Sequence, residues 1–238
     1  MNSEVARFEP CFEYLVGPDF PEPAVVDFVS NMVARHQEPW RHYHVVDHPV
    51  DVTGFLVANV ERLKNPRPTI ITGIGHDAVY IPQAPKYVNE ERTAELLEYM
   101  LTPYLPVQEV EAIGSNTRAS ARHDHELGNT DLSLFLDGDL KILGAPEDEF
   151  EAYDTGIEKE YYTVDRATFL LARHRILRNI FFRDRIFVTD VAYEQFELPA
   201  RVNLARKLME IASQSSEGLE GWNQEIEERL ERWQNGSI

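Results

Sequence analysis

PTIITGIGHDAVY, residues 68 to 80, carries a β-branched apolar run, two glycines and then a histidine–aspartate pair. Such a run is either a buried strand or a buried helix, and periodicity within it does not separate the two. The rest of the chain does. Apolar residues recur at helical spacing over 24–36, 50–63, 89–101, 107–123, 148–162, 166–182 and 194–214, and no partner strand is evident. Seven such segments predict an all-α helical bundle with PTIITGI on a buried helix.

Start signals agree with this reading. Pro23 and Pro49 suit first helical turns, Asn89 precedes Glu90 and Glu91, and Pro146 precedes an acidic turn. Loops are expected at KNPRP (64–68), IPQAPKY (81–87) and HELGNTD (125–131). Residues 218–238 form a tail in which Trp222, Ile226, Leu230 and Trp233 mark an amphipathic helix, packed on the body or on a second subunit in a homo-oligomer. No linker or change in composition divides the 238 residues, so a single domain, 1–238, is expected.

The chain has 41 acidic residues against 23 Lys and Arg, a formal charge of -18, which repels nucleic-acid polymers and anionic membranes at long range. A small partner is favoured. Cys11 is alone, which excludes an intrachain disulfide and multi-cysteine zinc sites, so any metal is held by His and carboxylate. Acids occupy the N-terminal stretch where a signal peptide needs basic residues, and no apolar run reaches membrane-spanning length; the expected location is cytoplasmic.

Metal-competent groups gather in three places: RHYHVVDH (41–48), GHDAVY (75–80) and FLDGDLKILGA (135–145). Each sets imidazoles or carboxylates beside strongly apolar sequence, where such groups must be paired, hydrogen-bonded or bound to a cation. His76 and Asp77 are the sharpest case. Neighbours on a helix point about 100° apart, so both reach one cation only at a helix edge or break, and Gly73 and Gly75 allow close approach there.

Together with NEERTA (89–94), GIEKEY (156–161) and FELPARVNLARKL (196–208), these stretches occur in the order found in a family of HD-type metal-dependent phosphohydrolases, which the chain resembles from about Arg41 to Leu208. The resemblance implies an HD-domain helical bundle whose H…HD…D metal ligands match His48, His76, Asp77 and Asp139. YHVVDHPVDV (43–52) is also similar to a stretch of cyclic-nucleotide phosphodiesterases in which the first histidine protonates the leaving oxygen and the second binds metal. That likeness makes His44 the acid, and GDLKIL (138–143) favours Asp139 over Asp137 as the last ligand.

Two imidazoles and two carboxylates suit Mn, Fe, Co, Ni or Zn, whereas Mg prefers more oxygens. The implied activity is hydrolysis of a small phosphate ester, a nucleotide or related metabolite, by metal-activated water, with Asp77 and His44 as the catalytic groups. Candidate substrate contacts are the cations Arg41, Lys86, Arg118 and Arg122, with His123 and His125 lining the pocket or completing a second metal shell. The alternatives are a di-iron oxygenase on the same scaffold and a non-catalytic HD module that binds a nucleotide or a protein.

Overall fold

The computed structural model describes residues 2–123, 128–214 and 219–235. Among these the fold is all-α, with twelve α-helices and no strand. No helix is long and apolar enough to cross a membrane. The chain divides into two compact units at Asp139 and Leu140.

The first unit contains α1 (Ser3–Ala6), α2 (Glu9–Leu15), α3 (Glu22–His36), α4 (Asp47–Ala58), α5 (Pro66–Gly75), α6 (Val88–Leu101), α7 (Val107–Ser120) and α8 (Thr130–Leu140), the last of which ends at the boundary. The ambiguous run is α5, and every residue from Pro68 to Gly75 is buried. A helix that is apolar on all sides belongs at the centre of its layer. α2, α3, α4 and α7 all pack against it. Ile70, Ile71 and Ile74 are fully enclosed, each contributing about 1.5–3 kcal/mol by the usual transfer scale.

Local chemistry makes that burial tolerable. Thr69 and Thr72 donate their hydroxyls to the carbonyls of Asn65 and Pro68 at 2.9 and 2.8 Å, so neither is left unsatisfied. The Asp131 carboxylate accepts the backbone N–H groups of Lys64 and Asn65 at 2.8 and 2.7 Å, fastening the start of α5 to α8. At the other end, a Cβ on Gly73 would lie 2.9 Å from Leu56 Cδ1, and one on Gly75 would lie 2.7 Å from Leu97 Cδ2. Glycine therefore lets α4 and α6 close on the turn that delivers His76.

The second unit contains α9 (Glu147–Glu160), α10 (Arg166–Phe181), α11 (Asp190–Gln214) and α12 (Asn223–Gln234). FELPARVNLARKL lies within α11 and supplies its buried polar frame. Glu197 accepts the N–H groups of Ile186 and Phe187, each at 3.0 Å, and pairs at 2.6 Å with the fully buried Arg201. Asn203 donates to the carbonyls of Leu143 and Ala145, both at 2.9 Å. The tail helix α12 packs on α11 and buries Ile226.

Three helices differ from the expectation. α1 and α2 are too short to show a period, and α8 begins inside the stretch expected to be a loop. Leu132, Leu134, Phe135 and Leu136 of α8 are all buried, so no polar face betrays the helix in the sequence.

Candidate metal centre

His48 stands in the first turn of α4, His76 immediately follows α5, and Asp77 is the next residue in the turn beyond it. Asp139 lies in the last turn of α8. The three helix ends meet. His48 Nε2 is 3.1 Å from His76 Nε2, 3.2 Å from Asp77 Oδ2 and 3.2 Å from Asp139 Oδ1. His76 Nε2 is 3.1 Å from Asp77 Oδ2 and 3.3 Å from Asp139 Oδ1. His48 and His76 are buried, while the Asp77 and Asp139 side chains keep 21% and 11% exposure and so open the cluster on one side.

These spacings fit a cation. Ligands about 2.0–2.2 Å from a metal, at tetrahedral or neighbouring octahedral positions, lie roughly 2.8–3.6 Å apart. His48, His76 and Asp77 offer three atoms all within 4.8 Å of one another, and Asp139 Oδ1 approaches both imidazoles from its own helix. Tautomers point the same way. His76 Nδ1 lies 3.2 Å from the Gly73 carbonyl, which can only accept, so Nδ1 carries the proton and the neutral ring turns its Nε2 lone pair to the cluster. Tyr43 Oη, 3.1 Å from His48 Nδ1, orients the second ring.

With both imidazoles neutral the cluster carries two negative charges, which a divalent ion balances. Without one, the histidines take that part. Burial opposes the charged form of His76, but Asp77 and Asp139 outweigh it and hold its pKa well above the ordinary value. His48 shifts upward for the same reasons, with burial opposing and Asp139 and Asp77 prevailing. Burial likewise works against ionised Asp77 and Asp139, yet the neighbouring histidines, His76 first, keep both well below the usual carboxylate range.

No protein-family model, curated protein or solved structure matches this chain.

The remaining sequence candidates fall into distinct places. His44 Nε2 lies 3.9 Å from Asp77 Oδ2, with its ring stacked 4.2 Å from that of Tyr80. His123 Nε2 meets Asp139 Oδ2 at 3.1 Å, the oxygen other than the one that meets His48 and His76. Asp139 rather than Asp137 supplies the carboxylate that meets the imidazoles; Asp137 is fully buried. His42 is exposed, and His125 lies outside the described residues.

Arg41 is turned inward. Its side chain is fully enclosed and donates to Glu38 at 2.9 Å and to the carbonyls of His44, Asp77 and Ala78 at 3.2, 2.9 and 3.2 Å. It braces the His44 loop against the turn after α5. Arg118 is held between Glu91 and Glu98 at 2.9 and 2.6 Å, which neutralises it locally. Lys86 and Arg122 instead flank the Tyr87 ring, at 4.8 and 4.6 Å from its centre.

Sequence reasoning did not single out Tyr43 or Tyr80, although both adjoin the motifs, in HYH and HDAVY. Glu90, which the sequence offers both as a helix-capping acid and as a base behind the metal-competent groups, stands in the first turn of α6, where burial raises its pKa.

Proposed function

We propose that this protein is a metal-dependent phosphohydrolase of the HD type, acting on a small phosphate ester such as a nucleotide. The observation that carries the reading is the convergence of His48, His76, Asp77 and Asp139 within 3.1–3.3 Å contacts, with a further imidazole, His44, beside the open edge. These four residues would hold a divalent ion. When bound, it polarises a phosphoryl oxygen and makes a water more acidic.

The chain's own groups account for the proton traffic. Asp77 accepts a proton from the attacking water as the new P–O bond forms. His44, protonated, gives its proton to the ester oxygen as the old P–O bond breaks, releasing an alcohol and phosphate. Tyr80 fixes the plane of His44 by stacking, and Arg41 fixes its backbone relative to that of Asp77. Tyr43 and the Gly73 carbonyl hold the two ligand rings in their productive orientation.

The test is a phosphate-release screen over nucleotides and simple phosphate esters with Mn, Co, Ni and Mg, run on wild type and Asp77→Ala. Release by wild type that Asp77→Ala abolishes supports the proposal. Wild type that binds no metal and releases no phosphate overturns it, and two irons per chain with oxygen consumption favours the oxygenase.

A further inference from the structure

A cavity of about 450 Å³, the size of a small-ligand site, lies within the first unit between α1, the end of α3 and the start of α4. Glu4, Arg7, His36, Glu38, Arg41 and Asp47 supply its polar lining. Val45 and Val46 also line it, so an occupant would bear on the segment that joins His44 to His48. Arg41, on the same wall, donates to the carbonyls of His44 and Asp77 at 3.2 and 2.9 Å.

One lining group is left without a partner. His36 is buried, its Nδ1 lies 2.8 Å from the Met32 carbonyl, and its Nε2 meets no hydrogen-bond partner. A carbonyl only accepts, so Nδ1 carries the proton and Nε2 presents a lone pair. Burial keeps that ring neutral, its pKa pushed down to about 3. A buried acceptor with nothing to accept is costly, and an N–H or O–H donor in the cavity would satisfy it.

The surrounding charges say which kind of donor. Both guanidinium groups are already engaged, Arg7 by Glu4 at 3.0 Å and Asp47 at 2.6 Å, and Arg41 by Glu38 at 2.9 Å. Three carboxylates, Glu4, Glu38 and Asp47, face these two cations and a neutral imidazole, which leaves the lining negative. A bare metal ion is a poor match, because no three ligand atoms converge there as they do at His48, His76 and Asp77 among the described residues.

We propose that this cavity is a binding site for a small organic cation of the ammonium or guanidinium type, one N–H of which donates to His36 Nε2 while its charge is balanced by Glu38 and the other acids. The site lies outside the metal-competent cluster and goes beyond the phosphohydrolase reading.

The probes are methylguanidinium, methylammonium and methylurea, the last an uncharged counterpart of the first with nearly the same shape and donors. They are titrated into the whole chain by ligand-observed NMR at about 0.15 M salt, which screens loose attraction to the acidic surface. Wild type should bind at least one of the cations about fivefold or more tightly than methylurea. His36→Phe changes no charge and should weaken that binding at least about tenfold, and Glu38→Gln should weaken it at least about threefold. Equal binding of the cations and methylurea by wild type overturns the proposal, and so does wild-type affinity in either variant, which would put the cations on the acidic surface at large. If His36→Phe is not folded by circular dichroism, Glu38→Gln decides. Neither metal nor phosphate release enters the measurement, so the site stands or falls independently of the phosphohydrolase reading.

Discussion

Two helical glycines in the first unit should respond in opposite directions to the same methyl group. Gly54, in α4, is exposed, and a Cβ there meets nothing within 4 Å. Gly75, the last residue of α5, would place its Cβ 2.7 and 3.2 Å from the two methyls of Leu97 and 3.4 Å from Met32 Sδ. Leu97 and Met32 are 0% and 1% exposed, so neither can swing aside into solvent. Replacing a helical glycine with alanine gains up to about 1 kcal/mol in propensity at either position. Nothing opposes that gain at Gly54. At Gly75, overpacking should cost about 1–3 kcal/mol, leaving Gly75→Ala roughly 1–3 kcal/mol less stable than Gly54→Ala. Because His76 is the next residue, the displaced turn should also weaken manganese binding in Gly75→Ala but not in Gly54→Ala. Urea unfolding followed by circular dichroism gives the first comparison and calorimetric titration of manganese the second. Equal stabilities together with equal metal affinities would refute the claim that glycine closeness positions the ligand turn.

Other consequences can be measured independently. His36 is 1% exposed and donates through Nδ1 to the Met32 carbonyl at 2.8 Å; burial first, and then Arg41, push its pKa down to about 3. The unfolded chain takes up that proton near pH 6.5, so its contribution is complete above this pH and falls as pH drops toward 3, by about 1.4 kcal/mol per pH unit. His36→Gln should flatten the stability profile between pH 6 and 4.5 by about one proton; parallel profiles would contradict the assignment. Arg41→Lys cannot span the three carbonyls and Glu38 from one ammonium and should lose about 2–4 kcal/mol in urea unfolding, whereas an unchanged midpoint would show that the brace contributes nothing. Manganese at a hundredfold excess over its dissociation constant should stabilise the folded protein by about 2.7 kcal/mol, or roughly 5–11 °C in Tm, and His76→Ala should erase the shift. A shift of equal size in His76→Ala would place the ion elsewhere.

The sequence displayed most of the helices because their apolar faces repeat every three to four residues, as in α3 and α6. α8 was hidden by the opposite property: its buried leucines and phenylalanine surround the axis and leave no contrast to read. α5 was equally featureless within itself and became legible through the HD pair that ends it. Site residues followed a similar rule. The three clusters stood out because charged or metal-competent groups sit in apolar text, where burial demands a partner, and the resemblance to HD-type phosphohydrolases selected His48, His76, Asp77 and Asp139 within them. Arg41 and Arg118 looked like phosphate grips because sequence shows a cation's position but not its acceptors, and only the fold brings Asp77, Ala78, Glu91 and Glu98 to them. Tyr43 was obscured because an aromatic beside the histidines of HYH has an ordinary packing explanation, and only the fold sets its hydroxyl against His48.

Metal content of the purified protein, measured by inductively coupled plasma mass spectrometry beside Asp77→Ala and Asp139→Ala, tests the central claim most directly. The account predicts one divalent transition-metal ion per wild-type chain and a large loss of it in both variants, each still helical by circular dichroism. Wild type without metal after manganese, cobalt or nickel supplementation, or variants that retain as much as wild type, would contradict it.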